Sequence, residues 1–154
     1  MKLIEEAVMF DTVGAQVYYI YLISCCGYAI IRGARSEYIG ATIMAIGSLA
    51  SLAVGKVLGT PWTGVEAEIF AIDLVALMAL FTLALKSDRF WPMWATAFHL
   101  LAVTVHTATM VDPTITPWAF ATGALFWAYP MLLALAIGSG ENVVLAPDRR
   151  VRAG

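Results

Sequence analysis

Residues Arg89 to Asp112 read RFWPMWATAFHLLAVTVHTATMVD, and this stretch decides the fold. After Pro92 the run is apolar for about 20 residues, the length needed to cross the ~30 Å hydrocarbon core of a bilayer as a helix. Trp91 and Trp94 stand at its start, where indoles anchor a span at the interface. The chain's only two histidines, His99 and His106, lie inside the run. Seven residues put them on nearly one face of a helix, about 10 Å apart along the axis. Ionisable groups at that depth are costly and mark functional candidates.

Working outward, the same pattern recurs. The chain has 154 residues, 61% hydrophobic and 13% charged. A soluble domain is nearer half apolar and a quarter charged, so the composition predicts a polytopic membrane protein. The expected fold is all-α, an integral membrane bundle of five transmembrane helices. The spans fall at about 12–31, 38–58, 66–85, 90–111 and 118–137, within one domain over 1–138. Residues 2–11 read as a helical lead-in to the first span or as a short helix lying in the interface. Pro130 is expected to kink the fifth. Gly138-Ser139-Gly140 is expected to end it, leaving 139–154 as a polar, basic cytoplasmic tail. Nothing near the N-terminus reads as a cleavable signal peptide.

Charge sets the expected orientation. Arg32 and Arg35 lie in the first connection, Lys86 and Arg89 in the third, and Arg149, Arg150 and Arg152 in the tail. Five spans place these seven on one side, against Lys2 and Lys56 on the other. The positive-inside rule then puts the N-terminus outside and the C-terminus in the cytoplasm of a cell, or inner, membrane. Net charge is −2 and no basic patch is interleaved with aromatics, so nucleic acid is not an expected partner.

Glu66, Asp73, His99 and His106 are the relay candidates. Span three enters from outside near Glu66, so Asp73 lies about 10 Å deep. His106 reaches a similar depth on the antiparallel fourth span, with His99 one step further in. Asp/Glu/His chains of this kind build proton relays, and a buried Asp–His hydrogen bond also ties helices together. Gly47, Ser51 and Gly55 recur every four residues and form a helix-packing stripe, against the bundle or a second copy.

Cys25 and Cys26 are adjacent within a span, which excludes a disulfide framework. Vicinal intramembrane thiols resemble those in the first span of mercuric-ion transport proteins, and that resemblance implies soft-metal handling by Cys25 and Cys26. It is confined to those two residues, since Gly27-Tyr28 stands where those proteins commonly carry a proline. In size and tryptophan content the chain resembles the porphyrin-binding translocator proteins, without their proline- and tryptophan-rich loop motif. No family is assigned.

Glycine-rich phosphate loops, Gly-x-Ser-x-Gly, His-Glu-x-x-His and Cys-x-x-Cys are all missing, so no enzyme is expected. The leading expectation is an accessory or structural subunit packing in a larger membrane complex or a homo-oligomer. The alternative is a small proton-coupled or ion-conducting permease. A third is a haem- or pigment-binding electron-transfer subunit.

Overall fold

The computed structural model describes residues 2–58, 67–112, 114 and 117–152. They form five helices: α1 (Lys2–Arg32), α2 (Arg35–Leu58), α3 (Ala67–Lys86), α4 (Trp91–Val111) and α5 (Pro117–Arg152). Four contain stretches long and apolar enough to cross a membrane: Val13–Arg32, Arg35–Val54, Ala67–Lys86 and Trp91–Val111. Within α5 the apolar run is shorter, Leu125–Glu141.

Short connections dictate antiparallel neighbours. Only Gly33 and Ala34 separate α1 from α2. Gly33 donates its N–H to the Ala29 carbonyl at 2.8 Å, and a Cβ there would overlap that carbonyl and Glu37. Between α3 and α4 the Ser87 N–H continues to the Leu83 carbonyl at 2.9 Å. Pro92 then sits in the first turn of α4, where its missing N–H costs nothing. Beyond α4, Asp112 accepts the hydroxyl and the N–H of Thr114, at 2.6 and 3.0 Å. This Asx turn holds the exposed Asp112 carboxyl below its usual range.

Each helix packs on the next in the chain, and α5 returns against α1 to close the ring. The buried seam follows helical spacing. On α1 it is Leu22, Cys25, Cys26 and Ala29, and on α5 Leu132, Leu135 and Ser139. On α4 it is Trp91, Ala95, His99, Ala102 and His106. The histidines thus occupy the same inward stripe as the small residues that let α4 approach its neighbours. Large apolar side chains face outward on every helix, among them Ile20, Ile46, Val75, Leu100 and Phe126. Such a surface suits a hydrocarbon solvent, which exacts no penalty for exposed Ile or Leu.

One sequence expectation changes here, whereas residues 2–11 are helical and run continuously into the rest of α1, as a lead-in does. The Gly138-Ser139-Gly140 triplet does not end α5, which is helical to Arg152, so part of the 139–154 segment continues the helix. The physical reason is packing. Gly138 is buried under the Trp91 ring, and the Ser139 hydroxyl donates to the Leu135 carbonyl at 2.8 Å. Glycine here supplies close approach instead of chain reversal.

Trp91 is wedged between α2 and α5. A Cβ built on Gly40 or on Gly138 would overlap its indole. Gly40→Ala and Gly138→Ala should therefore each lower stability by about 1–3 kcal/mol, the usual cost of overpacking. Unfolding of the detergent-solubilised protein measures it. In a Trp91→Leu background the extra cost of Gly40→Ala should vanish, because the indole atoms that a Cβ there would overlap are gone.

Candidate functional site

Asp73 lies on the inward side of α3, six residues from the helix start, or about 9 Å along its axis. Two imidazoles reach it from α4. His106 Nε2 stands 3.2 Å from Asp73 Oδ2. His99 Nε2 stands 3.0 Å from the backbone carbonyl oxygen of the same residue. A carbonyl oxygen only accepts, so His99 carries its proton on Nε2 and donates it. One residue of α3 is thus held at two heights by one stripe of α4. In an apolar bundle each such interhelical hydrogen bond contributes about 0.6–2 kcal/mol. The Asp73 side chain keeps 20% of its surface exposed, whereas His106 keeps 8%.

The structure therefore brings together three of the four relay candidates. Glu66 lies outside the described residues. His99 meets the Asp73 backbone rather than its carboxylate, so the side-chain contact is between Asp73 and His106. Nearby, Tyr18 of α1 and Ser48 of α2 share a hydrogen bond at 2.7 Å. The Tyr18 phenol is also within electrostatic reach of Asp73. Four helices thus contribute polar groups to one level of the interior.

A second polar cluster sits at the opposite end and was not singled out from sequence. Glu37, in the first turn of α2, has no exposed side-chain surface. Its Oε2 accepts the Ala34 N–H and the Ser36 hydroxyl, both at 2.9 Å. The Ala34 contact is a glutamate three residues into a helix reaching back to the capping position, one half of a capping box. Its Oε1 accepts the Trp91 indole N–H at 2.9 Å and faces Arg89 Nε at 3.3 Å. Arg89 also donates from Nη2 to the Gly138 carbonyl at 2.9 Å and pairs with Glu141 at 3.4 Å. One carboxylate thereby gathers the α1–α2 turn, the α3–α4 turn and, through Arg89, α5. The available sequence signal was Glu37 three residues after Ala34. It was missed because a Glu beside Arg35 reads as a solvated turn.

The remaining candidates divide. Gly47 faces Ala76 of α3 at 3.7 Å from a built Cβ, so that part of the stripe packs inside the bundle. Ser51 is half-buried on the same helix, and the surroundings of Gly55 lie outside the described ones. Cys25 and Cys26 are free and buried, with Cys26 Sγ 3.7 Å from the Ala41 carbonyl. Among the described residues no three His, Cys, Asp or Glu side chains converge as a metal-binding group. On the outer α4–α5 surface, Phe90, Trp94, Phe98, Trp127 and Phe126 form a ladder with successive centroids 6.1, 6.1, 6.3 and 5.1 Å apart. Pro130 lies within the continuous α5. The fold defines an all-helical bundle with four helices suited to a membrane, built around two internal polar clusters. No family model, curated protein or solved structure matches the chain.

Glu37→Ala should cost about 3–5 kcal/mol, because it strands Arg89 and the Trp91 N–H together. Glu37→Gln should cost less, since the amide oxygen still accepts. Denaturant titration in detergent, followed by Trp fluorescence, checks both.

Proposed function

We propose that the chain is a small multi-pass protein of the cell membrane, the inner membrane where there are two. It acts as an accessory or structural subunit, packing against other membrane subunits or its own copies. Five spans, an outside N-terminus and a cytoplasmic C-terminus complete the reading. The observation that carries it is the distribution of polarity. Large apolar side chains face outward on every helix, while Asp73, both histidines, Glu37 and Trp91 turn inward onto one another. A protein built this way meets its surroundings through apolar shape. Interhelical association in lipid then depends on packing and lipid entropy. The cytoplasmic assignment draws support from the Glu37–Arg89 pair, which joins the two basic turns at one end of the bundle.

The test is native mass spectrometry after extraction in a mild detergent, with cross-linking in the intact membrane. A discrete assembly of fixed stoichiometry is expected. A lone 16.6 kDa chain in both measurements overturns the subunit reading.

A second reading, a proton-coupled or ion-conducting permease, is favoured by the Asp73–His106 contact. It expects pH-driven flux into liposomes carrying the purified chain, abolished by Asp73→Asn. Flux that persists in that variant removes it. The haem- or pigment-binding reading stands or falls on an absorption spectrum of the purified protein.

A further inference from the structure

The Asp73–His106 pair differs from the other buried polar contacts. Tyr18–Ser48 and Glu37–Trp91 join groups that already supply one donor and one acceptor each. Asp73 and His106 are two groups that both take up protons, 3.2 Å apart, between adjacent antiparallel helices. With a neutral imidazole bearing its proton on Nε2, the pair carries −1 and has one hydrogen bond. One added proton brings it to zero, as imidazolium facing carboxylate, without either helix moving. The pair can therefore take up one further proton and keep that hydrogen bond.

The surroundings give the pair one side of access. Asp73 retains part of its surface and sits about 9 Å from the start of α3, while His106 sits about 7.5 Å from the end of α4. Further along both helices, toward Glu37, the buried side chains are Leu80, Leu83 and Ala95, with Leu132 and Leu135 beside them from α5. His99, the group one step deeper, spends its Nε2 proton on the Asp73 carbonyl. Among the described residues, titratable groups near the pair are Tyr18 from α1 and His99 from α4 itself. The described parts of α2 and α5 bring no carboxylate, imidazole or amine to this level. Glu37 and Glu141 both lie at the far end with Arg89.

We infer that Asp73 and His106 act as one site for a single added proton, taken up by the imidazole or by the carboxyl while the Nε2–Oδ2 hydrogen bond is kept, and reached from the face where α3 begins and α4 ends. The inference rests on the same pair as the permease reading but differs from it, because the apolar layer beyond His99 closes the route. The site takes up and releases its proton on one side of the bundle.

The experiment is nitrogen NMR of histidine-labelled full-length protein in nanodiscs, titrated over about pH 5 to 8. The His106 resonance should respond to pH. Its midpoint should move by about one pH unit or more in Asp73→Asn, the scale of a lost charge partner. His99 should keep its Nε2–H tautomer throughout. A His106 resonance that is flat over the range, or has the same midpoint in Asp73→Asn, overturns the proposal. Should Asp73→Asn fail to fold, infrared difference spectra of wild type and His106→Gln replace it. The protonated Asp73 carbonyl band should then shift its pH midpoint, and an unchanged midpoint overturns the site. Liposome flux separates the two readings. A responding pair without flux keeps the proton site and removes the permease, whereas flux without a responding pair does the reverse.

Discussion

The Glu37 carboxylate has no contact with solvent, and donors from three places converge on it. The backbone and side chain of its own turn supply two, Trp91 a third, and Arg89 the compensating charge. Burying a carboxylate without partners costs several kcal/mol or more, so the arrangement holds only if all of them arrive together. That requirement couples α2 to the turn before α4 and, through Arg89, to α5. α2 starts where Glu37 can cap it. α4 starts where Trp91 can reach Glu37. α5 passes close enough for Gly138 to lie under the indole and hand its carbonyl to Arg89. The rest of the ring follows from short turns and apolar stripes.

The other polar cluster obeys the same constraint with a different result. In lipid, every inward polar group needs an internal partner. His99 meets it with a fixed donor–acceptor bond to a backbone carbonyl, which leaves no ambiguity about its proton. His106 meets it with a carboxylate, a partner that is itself titratable. Two histidines on one stripe of one helix thus acquire different chemistry from one residue of α3. His99 ties α4 to the backbone of α3, and His106 ties the same two helices through a pair of side chains that are both titratable.

Much of this was legible in the residues themselves. Apolar runs of bilayer length set the extents of α2, α3 and α4 to within about three residues, because desolvation of the backbone in hydrocarbon leaves helix as the only local solution. The pairing of Asp73 with His106 could be anticipated from depth, since consecutive antiparallel helices place equal distances from one face side by side. The triplet Gly138-Ser139-Gly140 was misread for a reason of principle. Glycine is both a helix terminator and the residue that admits a close neighbour, and only the neighbour distinguishes the two. Glu37 was overlooked because a charge at a turn is ordinarily solvated.

By itself, the sequence determined the all-helical architecture, the extents of α2, α3 and α4, and the shared face of α4 that carries His99 and His106, because these depend on local hydrogen bonding and periodicity. Only the tertiary structure decided which atoms those side chains meet. Asp73 offers α4 both a carboxylate and a carbonyl, and the choice between them follows from the height at which two helices pack. Whether Glu37 and Gly138 face water or an indole likewise depends on a residue more than forty positions away, and no local pattern encodes that distance.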